Sequence, residues 1–419
     1  MRGAMDAIFP NIRHLRVLCE AARLRSVSLA AAQVHLSQPA ATQAIARLEA
    51  DLGVTLLARR REGLVPTPLG AVFLDRARRA LSHLATGARL ALRLAGSGRS
   101  AGPSGLETRV TAAQLRALVA IAGSGSFTIA ARDLGLSQPT VHKAARTLEA
   151  VAGIRLFQSG AAGVDLTPAA QVLVQRVKLA YAEIRQGLDE IDAALSRESA
   201  TFVLGSLPLA RTHIVPRAVA EMIRTTPGLQ IRVVDGRYPE LLRSLREGEI
   251  DCLIGALRDP APSDDVIEEA LFDDPLAIVA GRGHPLAGRA RVSLEETLRY
   301  PWVAPPRQAP AGQYLYETLR IQDRAETPVR VVSSSLVFLR GLLAEGEFLT
   351  LISRHQISHE EAAGTLVPLP VPLQGNRRPI GLTWRRDWRP TATQTRFIDL
   401  LREWSRRATA ETSRDTAHL

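Results

Sequence analysis

Residues 37–49 read SQPAATQAIARLE, and residues 137–149 read SQPTVHKAARTLE. The same Ser-Gln-Pro opening and the same Leu-Glu ending therefore recur at an offset of 100 positions. The match extends outward without an insertion, because Gly stands at 53 and 153 and Thr-Pro at 67–68 and 167–168. A fixed offset between matched segments is typical of repeated structural units. Nearly half of the chain is thus predicted to consist of two copies of one module.

Each copy is predicted to contain a helix-turn-helix. In the first copy, apolar residues recur at helical spacing over 15–22, and Ser28 is a candidate cap for a short helix that runs to about His35. Ser37 is the next cap, and Pro39 lies in the first turn of the following helix, where its missing N–H removes no intrahelical bond. Two helices joined by so short a turn form a helix-turn-helix.

A basic segment follows the second of these helices. Short strands are predicted at 53–57 and 63–65, on either side of Arg59-Arg60-Arg61. Such a unit places its second helix in the major groove of DNA and its wing on the flanking phosphates or the minor groove. The residues predicted to contact DNA are Ser37, Gln38, Pro39, Ala40, Thr42, Gln43, Arg47, Arg59, Arg60 and Arg61.

The positive charge of the chain is concentrated in the first copy. The 419 residues carry a net charge of +11. Residues 1–100 hold 15 Arg or Lys against 6 Asp or Glu, whereas residues 101–200 hold 10 against 9 and residues 201–419 hold 28 against 27. A basic protein favours an anionic partner. The location of the excess charge favours double-stranded DNA as that partner.

Other features exclude several classes of protein. Cys19 and Cys252 lie far apart in apolar stretches, which predicts buried thiols rather than a disulfide. No stretch approaches the roughly 20 apolar residues that cross a bilayer, and no secretory signal is evident, so we expect a cytoplasmic protein without a membrane partner. His355 and His359 lack further metal ligands at suitable spacing and are predicted to be surface residues. No catalytic residue, metal site or cofactor is predicted, and the chain is not expected to be an enzyme.

The motifs of the first copy resemble the winged helix-turn-helix of the LysR-type transcriptional regulators. They are Ser26-Val27-Ser28, Ala30-Ala31, Ser37-Gln38-Pro39-Ala40, Arg47-Leu48-Glu49, Leu52-Gly53-Val54 and Thr67-Pro68. Members of this family usually have one such module, followed by a linker helix and an effector-binding domain. The resemblance implies a DNA-binding regulator, here with a tandem duplication of its winged helix-turn-helix.

The second copy departs further from the family pattern. Where the family commonly has Ser-Arg, this chain has Thr42-Gln43 in the first copy and His142-Lys143 in the second. Gln can pair with adenine, whereas His and Lys favour guanine or phosphate. The second wing, QSGAAG at 158–163, lacks arginine and predicts weak DNA binding. Two interpretations stay open, a degenerate packing or dimerisation unit and a second DNA contact through Ser137, Gln138, Thr140, His142, Lys143 and Arg146.

A tether and two long helices are predicted around the copies. Residues 96–105 read GSGRSAGPSG, a flexible linker with a root-mean-square reach of roughly 16–19 Å. Linker helices are predicted at 68–95 and 168–197. In the second, apolar residues alternate in steps of four and three, as in a two-stranded coiled coil; they are Val177, Tyr181, Ile184, Leu188, Ile191 and Leu195. In LysR-like proteins the linker helix forms the dimer interface, which this second helix resembles.

From residue 202 onward, short strands alternate with helices, which predicts an open α/β domain. The predicted strands are 202–205, 231–234, 251–255, 276–280, 302–304, 329–332, 349–352 and 380–384. This part resembles the LysR effector-binding domain, itself similar to periplasmic solute-binding proteins. The resemblance implies two subdomains within 201–408, one of about 201–278 with 379–408 and one of about 279–378. Residues 407–419 are predicted to be disordered.

The effector is predicted to bind at helix N-termini beyond the ends of strands. Ser206-Leu207-Pro208 follows the first predicted strand, and Ser333-Ser334-Ser335 follows another and opens a helix. Hydroxyl and amide groups at these two points can converge on a carboxylate or another small anion, and Gly255 is a further candidate. The alternative is that the serines only cap helices. The resemblance favours the cleft.

These observations predict a multidomain transcriptional regulator. Its predicted segments are a winged helix-turn-helix at 1–67, a linker helix at 68–95, a tether at 96–105, a second module at 106–167, a linker or dimerisation helix at 168–197 and an effector domain at 201–408. A homodimer or homotetramer is expected, with DNA, a small anionic effector and RNA polymerase as partners. The alternative is a cytoplasmic solute-binding receptor whose N-terminal modules serve only oligomerisation.

Overall fold

A computed structural model describes residues 9–96, 105–161, 163–195, 200–258, 260–324 and 328–416. The chain forms two compact units. The first contains residues up to Thr201 with the short segment Arg246–Glu249, and the second contains Phe202–Leu245 and the chain from Ile250 onward. Residues 97–104 of the predicted tether and residue 162 of the second predicted wing lie outside the described residues.

The first unit consists of two successive sets of the same elements. Each set has three helices, a two-stranded hairpin and a long helix, and a single helical turn precedes the second set. The elements are α1 (Ile12–Leu24), α2 (Val27–Gln33), α3 (Gln38–Leu52), β1 (Leu57–Arg60), β2 (Gly63–Pro66), α4 (Pro68–Leu94), α5 (Leu106–Arg109), α6 (Ala112–Ser124), α7 (Phe127–Leu134), α8 (Gln138–Ala152), β3 (Phe157–Gly160), β4 (Gly163–Leu166) and α9 (Pro168–Ala194).

Local sequence signals set the helix boundaries. Ser37 caps α3 as predicted, because its hydroxyl accepts a hydrogen bond from the Ala40 N–H. The cap of α2 is Ser26, which accepts from the Leu29 N–H, so the prediction of Ser28 was wrong by two residues. Residue 53 is not the start of a strand either. Gly53 ends α3 with φ +68°, a left-handed conformation that glycine adopts without a steric penalty.

The helix–hairpin junction is built identically in both copies. The carboxylate of Glu49 accepts hydrogen bonds from the backbone N–H groups of residues 56 and 57, at 2.7 and 3.1 Å. Glu149 accepts from residues 156 and 157 at 2.8 and 3.1 Å. The Glu of the Leu-Glu ending shared by the two quoted segments thus holds each hairpin against the helix that precedes it, α3 or α8.

The two long helices pack against each other within one chain. Arg76, near the start of α4, contacts residues 183–190 near the end of α9. Gly87, near the end of α4, lies against Arg176, near the start of α9. The helices are therefore antiparallel, and one continuous hydrophobic core contains both copies.

This pairing corrects the expectation of an intermolecular seam on the second linker helix. Val177, Ile184 and Ile191 are buried inside the single chain, and Tyr181 and Leu188 pack against the same core. Only Leu195, at the end of α9, is exposed. The alternation of four and three was interpreted correctly as a helix-pairing face, but α4 of the same chain occupies that face.

A buried ionic cluster crosses the α4–α9 contact. Glu183 accepts hydrogen bonds from Arg76 at 3.1 Å and from Arg79 at 2.7 Å, and His83 lies 3.9 Å away. Arg76 also donates to Glu190 through two nitrogens. Burial alone would raise the pKa of Glu183, but the interactions with His83, Arg79 and Arg76 outweigh burial and bring the pKa to about 2.

The second unit is an α/β domain. Its elements are β5 (Thr201–Ser206), α10 (Ile214–Thr225), β6 (Gln230–Asp235), α11 (Tyr238–Arg246), β7 (Cys252–Ala256), β8 (Val266–Gly281), α12 (Leu294–Thr297), β9 (Trp302–Ala304), α13 (Pro310–Gln313), β10 (Val329–Val332), α14 (Leu336–Glu345), β11 (Leu349–Ser353), α15 (Ser358–Ala362), β12 (Leu366–Pro368), β13 (Arg377–Arg385) and α16 (Ala392–Thr416).

Its strands form a mixed sheet in the order β10-β9-β11-β8-β13-β7-β5-β6, with β12 also paired to β8. β5 and β7 are parallel, as are β9 and β11, whereas β8 is antiparallel to both β13 and β11. β8 has 16 residues. Its first half pairs with β13 and its last residues pair with β11, so this strand joins the two parts of the sheet.

The second unit differs from the prediction in three places: two strand segments that were not predicted and one segment that was predicted to be disordered. The first half of β8 and all of β12 were not predicted, because their polar or short sequences lack a clear alternating pattern. The segment from residue 407 is helical through Thr416 rather than disordered, since it continues α16.

Both cysteines are buried free thiols as predicted, and burial raises the pKa of each to about 12. Within the described ranges, no helix is both long and apolar enough to span a bilayer.

Candidate functional site

The outer face of α3 is exposed and polar. Thr42, Gln43 and Arg47 are exposed, whereas Ala41, Ala44 and Leu48 are buried in the core of the module. The Thr42 hydroxyl donates to the Gln38 carbonyl oxygen within the helix. Arg47 forms an exposed ion pair with Asp51 at 3.0 Å, so part of its charge is already neutralised.

Gln43 and Arg47 also line an open cavity of about 740 Å³. Its wall includes Arg13, and residues Thr108–Ala113 at the beginning of the second copy lie on the other side. The cavity therefore places the positive charge of Arg13 beside α3, whereas the guanidinium of Arg109 donates to the Val151 carbonyl oxygen of α8.

The three arginines of the first wing are exposed, but they are not all in a loop. Arg59 and Arg60 belong to β1, paired with Leu64 and Gly63 of β2, and only Arg61 lies in the turn. The predicted wing is thus a hairpin whose first strand carries two of the three charges. Strand pairing fixes the backbone of these arginines and leaves their side chains in solvent.

In the second copy, the helix presents the predicted side chains, whereas the wing has no arginine at residues 158–163. Gln138, Thr140, His142, Lys143 and Arg146 are exposed on α8. The His142 ring lies 5.1 Å from the Phe127 ring, Gln138 accepts from the Thr128 hydroxyl, and Arg146 forms an ion pair with Glu149 at 2.7 Å. The Ser137 hydroxyl caps α8.

The second wing contains a carboxylate. Asp165 of β4 pairs across the hairpin with Gln158, and a Cβ added to Gly160 would lie 2.2 Å from an Asp165 carboxylate oxygen. The equivalent first-copy positions are Arg60 and Val65. The prediction of weak DNA binding by this wing rested on its lack of arginine and did not include Asp165, which lies just beyond residues 158–163. A carboxylate at this position repels phosphate.

Part of the predicted effector site comes together at the ends of β5 and β7. The Leu207 N–H donates to the Ile254 carbonyl oxygen, and a Cβ added to Gly255 would lie 2.5 Å from the Leu207 side chain. Ser206 is fully buried, and Pro208 begins a short 3₁₀ helix. Glycine at 255 is therefore required for the chain after β5 to pass close to β7.

The serine cluster after β10 has clear capping roles. Ser335 caps α14 by accepting from the Phe338 N–H, and the Ser333 hydroxyl accepts from the Ser335 N–H. Ser334 is exposed. Five strands separate β10 from β5 in the sheet order. The Ser206 and Ser333 clusters are thus not neighbours along the sheet, and their convergence on one ligand is a proposal.

Two arginines of the second unit, Arg258 and Arg378, were not among the predicted site residues. Arg258 lies just after β7, with its guanidinium carbon 4.3 Å from the centre of the Tyr238 ring. Burial lowers the pKa of Arg258, and the nearby charge of Arg378 acts in the same direction, against the opposing effects of Tyr238 and Glu268. A signal was available for Arg258, since it follows the candidate Gly255 by three residues.

Arg378 belongs to a buried polar cluster where β8, β11 and β13 meet. It donates two hydrogen bonds of 3.1 Å to Asp274, which also accepts from the Ser353 hydroxyl at 2.6 Å. His355 lies beside this cluster and against the Phe272 ring, so the prediction of a surface histidine was wrong at this position. No group of three or more potential metal ligands occurs in the part of the chain that the structure describes.

Family models match both units. The model of the bacterial regulatory helix-turn-helix protein of the lysR family matches twice, at residues 12–71 and 112–171. The model of the LysR substrate binding domain matches residues 196–406. The two matches of the first model coincide with the two sets of elements in the first unit.

Full-length relatives are transcriptional regulators rather than enzymes. The chain is 33% identical over 391 residues to the HTH-type transcriptional regulator GalR of Pseudomonas putida, an alignment that covers 91% of this chain and 94% of that protein. Since so little of the chain is left out, this alignment extends over both helix-turn-helix copies. Identity to the HTH-type transcriptional regulator PcaQ of Agrobacterium fabrum is 27% over 298 residues, covering 71% of this chain and 96% of that one.

A solved structure shares the fold. A full-length variant of OxyR from Pseudomonas aeruginosa superimposes with a TM-score of 0.51 at 23% identity, covering 70% of this chain and 94% of OxyR. The family matches, the relatives and the order of a helix-turn-helix region before a mixed-sheet substrate-binding domain agree. The chain belongs to the LysR family of DNA-binding transcriptional regulators, which carry a substrate-binding domain for an effector.

Proposed function

We propose that the first module supplies the main DNA contact of this regulator. Its helix α3 enters a major groove with Ser37, Gln38, Pro39, Ala40, Thr42, Gln43 and Arg47, and its hairpin places Arg59, Arg60 and Arg61 on the phosphate backbone. The observation that carries this proposal is the exposed arginine hairpin beside an exposed polar helix face. Phosphate contacts supply much of the affinity of such interfaces, and the helix supplies base recognition.

A salt titration tests the first module. Binding of the full chain to DNA from the upstream region of its own gene is compared for the wild type and for Arg59-Arg60-Arg61→Ala. A matched control replaces Arg224, Arg291 and Arg299, three exposed arginines of the second unit, by Ala and removes the same charge.

We expect the slope of log affinity against log salt to become shallower by up to about 3 in the wing variant, close to 0.9 per lost phosphate contact. The control is expected to keep the wild-type slope. Absence of specific binding by the wild type at moderate salt would favour the alternative, a solute-binding receptor whose N-terminal modules serve only oligomerisation. Equal loss in both variants would assign the effect to net charge rather than to the wing.

We propose that the second unit binds a small anionic effector between two subdomains that are hinged at β8 and β13, as in periplasmic solute-binding proteins. Ser206, Leu207, Pro208 and Gly255 form one side of this site, and Ser333, Ser334 and Ser335 form the other. Arg258 is partly buried beside the Gly255 end of this site, and burial disfavours its charged form, which supports an anionic ligand there. An effector changes DNA binding only through different affinities for two states of the regulator.

Tryptophan fluorescence tests the effector site, because all four tryptophans, at 302, 384, 388 and 404, lie in the second unit. A panel of small carboxylates is titrated into the wild type and into Arg258→Gln. We expect at least one carboxylate to change the fluorescence and the DNA affinity of the wild type, and the variant to bind it at least tenfold more weakly. An equal response of the two proteins would remove Arg258 from the site.

Homo-oligomerisation and contact with RNA polymerase are further parts of the proposed function.

A further inference from the structure

The contact between α4 and α9 has approximate two-fold symmetry. A Cβ added to Gly87 would lie 2.7 Å from the Cβ of Arg176, and a Cβ added to Gly187 would lie 3.1 Å from the Cβ of Arg76. Position 73 of one helix and position 173 of the other occupy the matching places beside these glycines. Because both contacts obey the offset of 100, the two copies face each other as the two subunits of a symmetric dimer do.

The segments that precede the two copies repeat this symmetry. Phe9, before the first copy, packs against Tyr181 of α9 with ring centres 4.3 Å apart and the rings tilted by 57°. The segment before the second copy forms α5, whose Leu106 is buried in the core shared with α4. Each copy therefore reaches across to the long helix of the other copy, and neither is a separate domain on a loose tether.

Charge makes the pairing specific for one α4 and one α9. Arg76, Arg79 and His83 lie on α4, and their carboxylate partners Glu183 and Glu190 lie on α9. Under the offset of 100, the counterparts of these two carboxylates on α4 are His83 and Leu90. Two α4 helices paired in the same way would leave Arg76 without a carboxylate. Two α9 helices would keep an arginine, Arg176, in the place of Arg76, but they would replace Arg79 by Leu179 and His83 by a second Glu183. Like charges and unpaired buried charges are both costly.

The recognition face of α8 is not used in this packing. Val141, Ala145 and Leu148 are buried, whereas His142 and Lys143 remain exposed. No acidic residue occurs between Gln138 and Arg146, and the carboxylate of Glu149 is turned toward the hairpin. A module that served only for pairing would not need this basic, exposed face.

We propose that a single chain acts as a two-headed DNA reader, in which the α4–α9 pair holds α3 and α8 against two unequal half-sites of one duplex. The modules are attached to the N-terminal ends of α4 and α9, which lie at opposite ends of the antiparallel pair. A helix of 27 residues is about 40 Å long. This length is close to the roughly 34–36 Å that separates equivalent major-groove positions one helical turn apart.

The half-sites differ because the heads differ. The first head combines Thr42 and Gln43 with an arginine hairpin, whereas the second combines His142 and Lys143 with a hairpin that carries Asp165. The first half-site is therefore bound through bases and phosphates, and the second mainly through the helix. The operator is asymmetric, and one orientation of the chain on it is preferred. This inference rests on the proposed DNA contact of the first module.

A disulfide test asks whether the pairing is within one chain. Gly87→Cys and Arg176→Cys are introduced together after Cys19→Ala and Cys252→Ala, and each new cysteine alone serves as the control. A slight separation of the helices gives the Cβ–Cβ distance of about 3.5–4.5 Å that a disulfide needs. We expect oxidation to give a cross-linked band of monomer mass that still binds DNA. A band of twice that mass, or no disulfide at all, would overturn the intrachain pairing.

A footprint tests the second head. Hydroxyl-radical footprinting of the full chain on its upstream DNA is expected to show two protected regions about one helical turn apart. His142→Ala with Lys143→Ala should remove one region and weaken binding about tenfold, while Arg224→Ala serves as the control and leaves both. A wild-type footprint that the double variant does not change would overturn the second head. Absence of any wild-type footprint would instead reject the proposed function itself.

Discussion

Equivalent residues in the two copies keep the roles that hold the module together and differ in the roles that face solvent. Glu49 and Glu149 accept the same two backbone hydrogen bonds, and both copies have a glycine in the left-handed conformation at the end of the recognition helix. In contrast, Arg60 corresponds to Gly160 and Val65 to Asp165. The second copy therefore keeps the hydrogen bonds that hold the module together, but it does not have the arginines of the first hairpin.

Glu183→Gln is expected to destabilise the first unit by about 3 kcal/mol, because it leaves the buried guanidinium of Arg76 with only part of its negative partner. The pKa of Glu183, about 2, lies below its ordinary 4.5. Its stabilisation is thus fully present above pH 4.5 and is lost as the pH falls through about 2. Urea unfolding followed by far-UV circular dichroism should show the difference between wild type and variant shrinking over this range.

The control for this prediction is Glu20→Gln, which removes the exposed Arg23–Glu20 pair. It is expected to cost at most about 0.5 kcal/mol. Tryptophan fluorescence reports only the second unit. The urea midpoint that it gives should be the same for the wild type, Glu183→Gln and Glu20→Gln. A Glu183 variant as stable as the Glu20 variant would show that the cluster is not needed for helix pairing.

Gly87→Ala is expected to destabilise the first unit although alanine favours helices. The new methyl carbon would lie 2.7 Å from the Cβ of Arg176, a distance that requires the helices to separate. Gly123→Ala is the matched control, since nothing lies within 4 Å of its added Cβ in α6, and it should stabilise by up to about 1 kcal/mol. In thermal unfolding, we expect Gly87→Ala to lower the midpoint and Gly123→Ala to raise it. A change of the same sign in both variants would contradict close packing at Gly87.

At the scale of elements, periodicity predicted which segments are helices but not what those helices pack against. The alternation over Val177–Leu195 is the same whether the partner helix lies in another chain or in this one. The ion pairs of Arg76 with residues more than 100 positions away decide the matter, and no local pattern contains them. Likewise, the first half of β8 pairs with β13 through its backbone, and its residues do not alternate between buried and exposed, so the period of two that marks a strand is absent there.

Asp274→Asn is expected to weaken the junction of β8, β11 and β13. The Arg378 guanidinium would face a neutral amide in a buried place, at a cost of about 3 kcal/mol in the second unit. Urea unfolding followed by tryptophan fluorescence measures this unit alone. Glu240→Gln removes an exposed ion pair with Arg237 and is expected to leave the midpoint unchanged. If Asp274→Asn shifted the unfolding transition seen by circular dichroism but not the one seen by fluorescence, the lost stability would lie outside the second unit. That result would contradict the role of Asp274 at this junction.

At the scale of the whole molecule, the duplication changes what one chain is able to do. In a protein with one module, two identical heads require two chains, and a symmetric operator follows from the symmetry of the dimer. Here the two heads are encoded separately, so each has been free to change its sequence while α4 and α9 keep their pairing. The asymmetry of charge between the copies is what such a chain would be expected to accumulate.

A rigid α4–α9 pair predicts a fixed spacing between the half-sites. Insertion of 5 base pairs between the two protected regions rotates one half-site to the opposite face of the duplex, and insertion of 10 restores the face but adds roughly 34 Å. We expect both insertions to reduce affinity to that of the first half-site alone, because paired helices about 40 Å long do not extend. The control is a substitution of the same central base pairs at constant length, which should bind as the wild-type operator does. If the 10-base-pair insertion restored full affinity, the two modules would be independent heads on a flexible tether, and the helix pairing would not set the geometry on DNA.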